Sequence, residues 1–117
     1  MSESRLQESI VKYIALSYKQ ARYCCSLGGI RTTYKQARLA KRTGYVKGFP
    51  DLFIALPMPK KNYAGLFLEV KLPGRYATKE QKEWIDYLNS VGYKAEVVKG
   101  FDHAKKVIDT YFDEEDK

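Results

Sequence analysis

The sequence predicts an α/β fold in which helices flank a mixed central β-sheet. Two apolar runs of strand length, residues 51–56 and 64–72, lie either side of a loop containing Pro57, Pro59 and Asn62. Helical periodicity brackets this pair on both sides, and glycine or proline punctuates the junctions.

Each element follows in order. Leu6, Ile10, Tyr13, Ile14 and Ser17 recur at three- and four-residue steps, with Ser2 or Ser4 available as a cap, so the chain opens with an amphipathic helix of about four turns. Residues 21–27 are short and β-capable, and Gly28-Gly29 stops them. Residues 32–43 are rich in Lys, Arg, Gln and Ala but sparse in apolar positions, a pattern that fits either a basic helix or a mobile loop. Gly44, Gly48 and Pro50 then lead into the first buried strand, and Pro73-Gly74 ends the second. Thr78 caps the next helix with Gln81 at the capping-box position and Gly92 as its stop; Trp84, Ile85, Leu88 and Val91 form the expected inward face. Residues 93–98 read as a strand, and residues 101–111 as a last helix through Ala104, Val107, Ile108 and Tyr111. The expected order is α-β-(α)-β-β-α-β-α.

At 117 residues the chain fits one domain and leaves no room for a second catalytic unit. Its 44% hydrophobic content supports a buried core, which a disordered polyelectrolyte of similar charge lacks. The formal charge of +7 is unevenly placed, because Asp113, Glu114, Glu115 and Asp116 sit in a short acidic tail and leave residues 1–112 at +10. A body this basic attracts polyanions, nucleic acid foremost, although a solvated cationic surface gives the same count. Residues 1–112 are therefore expected to form the domain and 113–117 a solubilising tail.

Adjacent Cys24 and Cys25 suit neither a disulfide nor the spacing of a zinc site, and the sole histidine, His103, is remote in sequence. One or both thiols are expected in the core, within the apolar run 23–27. The start Met1-Ser-Glu-Ser-Arg5 lacks a signal-like apolar stretch and no run reaches the ~20 residues of a membrane span, so a cytoplasmic location is expected, with no membrane partner.

The chemistry concentrates in Gly48-Phe-Pro-Asp51 and Leu68-Glu69-Val-Lys71. In a strand Glu69 and Lys71 point to one face, because the side-chain period is two. Burying such charges costs several kcal/mol unless they are paired or metal-bound. The plain reading is an ion pair on an exposed strand face. Phosphodiester hydrolysis supplies another: Asp51 and Glu69 offer hard oxygen ligands for Mg²⁺ or Mn²⁺, with the Val70 main-chain carbonyl a third. Lys71 would then hold or help deprotonate the attacking water and stabilise charge on the phosphate.

This arrangement resembles the VRR-NUC family of the PD-(D/E)XK nuclease superfamily. The resemblance runs from Glu8-Ser-Ile-Val through Gly48-Phe-Pro-Asp51 and Phe67-Leu-Glu69-Val-Lys71 to Pro73-Gly74-Arg75, Thr78-Lys-Glu-Gln81-Lys-Glu-Trp84, Leu88 and Gly92-Tyr93. It implies a restriction-endonuclease-like core of α-β-β-β-α-β type, with Asp51 and Glu69 as metal ligands and Lys71 serving the nucleophile. It also implies that Glu8 contributes from the first helix, directly or through water, and that Gln81 supports the site from the following helix. The competing readings are an exposed helix acid for Glu8 and a capping residue alone for Gln81.

Lys47, Arg75, Lys79 and Lys82 flank the proposed centre and suit phosphate contacts, and Arg31, Lys35, Arg38, Lys41 and Arg42 offer a second set unless they are a solvated helix face. Such contacts carry no base information, so selection by DNA shape is expected over sequence specificity. Family members resemble nucleases of branched DNA such as flaps and four-way junctions, and minimal stand-alone domains look like phage or prophage proteins acting in a bacterial host cytoplasm. Two symmetric cuts at a junction would suit a two-fold homodimer. No small-molecule cofactor is expected. The rival expectations are an inert DNA-binding or assembly module on the same fold and an RNA-processing nuclease with the same chemistry.

Overall fold

The structure is a computed structural model, and it describes residues 1–26 and 33–115. The expectations placed on Leu27, on the Gly28-Gly29 stop, on Arg31 and on the last two tail residues lie outside the described residues. The elements are α1 (Glu3–Ser17), β1 (Tyr23–Cys25), α2 (Tyr34–Arg42), β2 (Leu52–Ile54), a 3-10 turn (Pro59–Lys61), β3 (Leu66–Lys71), α3 (Lys79–Ser90), β4 (Lys94–Lys99) and α4 (Phe101–Phe112). The sheet order is β1-β2-β3-β4, with the first two pairings antiparallel and β3–β4 parallel. Helix α3 is the crossover that a parallel pair requires.

Alternation along β3 divides the interior in two. Leu66, Leu68 and Val70 meet Leu6, Ile10 and Ile14 of α1 and Ala104, Val107 and Ile108 of α4. Phe67 turns to the other face, against Leu88, Ala95, Phe49, Phe53 and Trp84. Each large aliphatic side chain removed from water contributes about 1.5–3 kcal/mol. The Ser2 hydroxyl caps α1 by accepting from the Arg5 N–H at 3.2 Å. The hydroxyls of Tyr13 and Tyr18 both donate to the Asp109 carboxylate, joining α1 to α4. Among the described residues no helix is long and apolar enough to cross a membrane.

Several expectations need correction. Cys24 and Cys25 are exposed rather than buried, because none of the three residues of β1 packs into either core. Val91 is 48% exposed: it is the C-cap of α3, where the backbone unwinds toward Gly92 at φ 101° and turns the side chain outward. Ser17 is exposed as well, past the last buried turn of α1 at Ile14. The loop between β2 and β3 closes through a Met58–Tyr63 bridge, with Asn62 in the left-handed region that asparagine tolerates. Residues 34–42 take the helical alternative, set by a Thr33–Gln36 capping box, yet bury no residue.

The segment before β2 is fixed by a close approach. Gly48 has φ 94°, and a Cβ there would stand 2.7 Å from the backbone carbonyl carbon of Glu80 in α3. Phe49 follows, edge-on to Phe67 at 5.6 Å and to Trp84 at 5.0 Å, and Pro50 is fully buried. Gly44 also has positive φ, 114°, but open space around it. Gly48→Ala should therefore cost clearly more than the ~1–2 kcal/mol of left-handed strain that Gly44→Ala incurs. Urea midpoints of the two variants check this, and equal losses would mean that α3 yields freely.

Candidate active site

Glu69 and Lys71 stand either side of Val70 in the last three residues of β3 and leave the same face as Phe67. Glu69 is 2% exposed, and its Oε2 lies 3.8 Å from the Lys71 ammonium, whose side chain is 12% exposed. The other carboxylate oxygen, Oε1, is buried with no hydrogen-bond partner among the described residues. An unsatisfied polar atom of this kind costs about 1–3 kcal/mol, more if charged.

Asp51 reaches this centre from the chain entering β2. The β2–β3 ladder ends at Leu52–Leu68, so the Val70 N–H lacks a backbone partner there and donates instead to Asp51 Oδ2 at 2.7 Å. In an extended residue the N–H and C=O leave the same edge, so the Val70 carbonyl faces the Asp51 side too. The Asp51 carbonyl accepts from the Ser26 N–H at 2.9 Å, and buried Pro50 holds the residue before it.

The electrostatics follow from this crowding. Burial pushes the Glu69 carboxyl up to about 9; the neighbouring Asp51 charge and a hydrogen bond with Asp51 push the same way, Lys71 opposes them, and Glu3 adds a smaller upward push.

Glu3 was not among the residues expected at the site. Its signal was in the helical wheel: at 3.6 residues per turn it shares the stripe of Leu6, Ile10 and Ile14, whereas Glu8 sits about 140° away. Glu8 forms an i,i+4 ion pair with Lys12 at 3.9 Å and its side chain is 67% exposed. It does line an open groove of about 410 Å³ whose walls include Gln7, Cys24, Cys25 and Asp51. Gln81 is half-buried and completes the capping box, its amide oxygen accepting from the Thr78 N–H at 2.8 Å.

The expected phosphate contacts are all on the surface where they are described. Lys47 lies 3.9 Å from Glu80 and Lys79 4.0 Å from Glu83, around the start of α3. Arg75 and Lys82 are exposed nearby. Lys35, Arg38, Lys41 and Arg42 project from exposed α2, with Arg38 over the Tyr34 ring at 5.6 Å. Beside the site Lys99 stands 3.9 Å over the exposed Tyr76 ring. Among the described residues no three His, Cys, Asp or Glu side chains are gathered into a preformed metal cluster.

Comparison with known proteins identifies the family and the fold. The model of the VRR-NUC domain family matches residues 2–102. A solved structure described as a VRR_NUC domain protein is 29% identical, with TM-score 0.75 over 96% of this chain and 88% of that one. A second, described as a VRR_NUC domain, shares the fold at 21% identity, with TM-score 0.63 over 94% of this chain and 97% of that one. No curated protein matches the chain. The match spans α1, the Asp51 segment, the Glu69–Lys71 strand and the capped helix after it, and the chain belongs to the VRR-NUC domain family of nucleases.

Proposed function

We propose that the protein is a divalent-metal-dependent endonuclease that hydrolyses DNA phosphodiester bonds, with Asp51, Glu69 and Lys71 at its centre. The observation that carries this reading is the Glu69 carboxylate, buried in an apolar strand with Oε1 unpartnered between an aspartate and a lysine. A buried carboxylate whose proton affinity is raised by an adjacent carboxylate has the chemistry of a hard-cation site: a cation would use the orphaned oxygen and remove the repulsion. Asp51 and Glu69 would hold Mg²⁺ or Mn²⁺, with the Val70 carbonyl as a further oxygen donor and Glu8 or Glu3 contributing from α1. A bound ion would polarise the phosphate and make a nearby water more acidic.

The remaining roles belong to the chain. Lys71, kept close to Glu69 in a nearly closed setting, orients the attacking water and meets charge that develops on the phosphate. Asp51 fixes the Val70 backbone and with it the register of Glu69 and Lys71. Gln81 steadies the first turn of α3 beside the site. Lys47, Arg75, Lys79 and Lys82, together with the cations of α2, would carry the DNA backbone. We assign residues 1–112 to this domain and 113–117 to an acidic tail. Branched DNA, flaps or four-way junctions, is the favoured substrate, because contacts to phosphate read shape rather than sequence, and a homodimer would deliver paired cuts.

Cleavage of labelled linear, flap and junction DNA with Mg²⁺, Mn²⁺ or EDTA tests the reading. Lys71→Ala and the isosteric Asp51→Asn should each lower metal-dependent cutting by about 10²-fold or more while DNA binding in EDTA persists. Binding without cutting under either metal would favour an inert module, and preferential cutting of RNA competitors an RNA enzyme.

The raised Glu69 carboxyl gives a second expectation. Its folded-state pKa of about 9 exceeds its ordinary 4.5, so its contribution to stability is fully present below about pH 4.5 and lost as pH rises toward 9. The metal-free protein should lose thermal stability across that window. Glu69→Gln should flatten the loss, and Mg²⁺ or Mn²⁺ should raise Tm more at pH 8 than at pH 5. A wild-type profile that matches that of Glu69→Gln would refute the assignment.

A further inference from the structure

A second basic surface lies away from the catalytic centre. The groove between the 3-10 turn, the start of β4 and the outer side of α4 has a volume of about 670 Å³. Lys60, Lys61, Lys94, Lys106 and His103 line it, against Glu96 as the one acid among its described lining residues. Glu96 is already engaged, 3.4 Å from Lys94 through Oε1 and 3.4 Å from His103 Nε2 through Oε2. The His103 Nδ1 accepts from the Lys99 N–H at 2.9 Å, which turns Nε2 toward Glu96. Lys61 donates to the Tyr111 carbonyl at the end of α4, so it closes the groove floor. Lys60 and Lys106 are exposed on its walls. A concave surface with four lysines and one compensated carboxylate draws anions.

Its position gives the inference its content. Lys94 pairs in register with Leu66 and Val97 with Glu69, so the groove begins three strand residues, about 10 Å, from the level of the catalytic glutamate. Alternation places it on the opposite face as well. Lys94 and Glu96 share their side of the sheet with Val98, which packs with α4, whereas Glu69 and Lys71 share theirs with Phe67 on the α3 side. A straight duplex about 20 Å wide that lies on the Lys71 side cannot also enter a groove on the other face.

We infer that this groove binds the phosphate backbone of a second nucleic-acid segment, so that one chain holds two arms of a branched substrate. The inference rests on the nuclease reading and adds to it a site on the α4 face, centred on Lys60, Lys94 and Lys106.

Binding in EDTA tests it apart from catalysis. The probes are a four-way DNA junction and a linear duplex of the same arm length, titrated across salt concentrations with wild type and with the double variant Lys60→Ala, Lys106→Ala. Each neutralised phosphate contributes roughly 0.9 to the slope of log affinity against log salt. The double variant should therefore show a junction slope shallower by about two, junction binding weakened about tenfold, and unchanged binding to the linear duplex. His103 is the only histidine in the chain, so its imidazole proton resonance reports on this groove alone. It should shift with junction DNA and stay in place with the linear duplex. An unchanged junction slope, or a His103 resonance that moves with a nucleoside triphosphate but not with the junction, would overturn the inference. If the double variant still cuts linear DNA with metal at the wild-type rate while junction binding is also unaltered, the second site fails and the nuclease stands. If neither protein cuts any DNA, the nuclease reading fails, whatever the groove binds.

Discussion

Everything at the candidate active site depends on one carboxylate inside the sheet. Glu69 stands in a six-residue strand, between Leu68 and Val70, which face the core under α1 and α4, and among the described residues nothing satisfies its Oε1. The fold tolerates this because the rest of β3 is deeply buried and because Lys71 and Asp51 set its electrostatics. Apolar burial on both faces of the sheet offsets a local cost of a few kcal/mol at one position. Stability is thus surrendered at the oxygen that the proposed metal would use.

The Asp51 carboxylate turns this tolerance into geometry. It accepts from the Val70 N–H at the point where β2 stops short, so a side chain replaces the missing rung of the ladder. The short length of β2 is therefore part of the site. Had the ladder continued, the Val70 N–H would face a backbone carbonyl and Asp51 would have no anchor. The tight packing of Gly48 on α3 supplies the other constraint, setting the angle from which Asp51 arrives.

Most of this frame was legible in the sequence. The capping box at Thr78 and Gln81, the inward stripe of α4 and the Glu69–Lys71 face follow from local rules of spacing, and the structure reproduces them. What escaped was tertiary. Cys24 and Cys25 look like core residues until β1 proves to lie outside both cores, and no periodicity reveals which strand a helix will cover. Val91 fits the helical stripe but falls where the helix unwinds. Glu3 was readable from the wheel of α1, yet its importance depends on which residue of β3 the start of α1 overlies. The groove beyond β4 gathers Lys60, Lys94 and Lys106 from three elements, and no motif in the chain joins them.

Helix α2 buries none of its residues, and its order rests on a reciprocal cap at Thr33 and Gln36 and on its own backbone. A nine-residue helix without a packed face is marginal in water. Its free energy of local opening is therefore small beside that of the β3 core, and it is expected to melt and re-form while β2 and β3 stay closed. Lys35, Arg38 and Arg42 share one arc of this loosely held segment, about 60° wide at 3.6 residues per turn. On the proposed nuclease reading, a stiff centre at Asp51, Glu69 and Lys71 would be joined to an adaptable cationic arm, which would follow a curved or kinked backbone by reshaping itself and leaving that centre undisturbed.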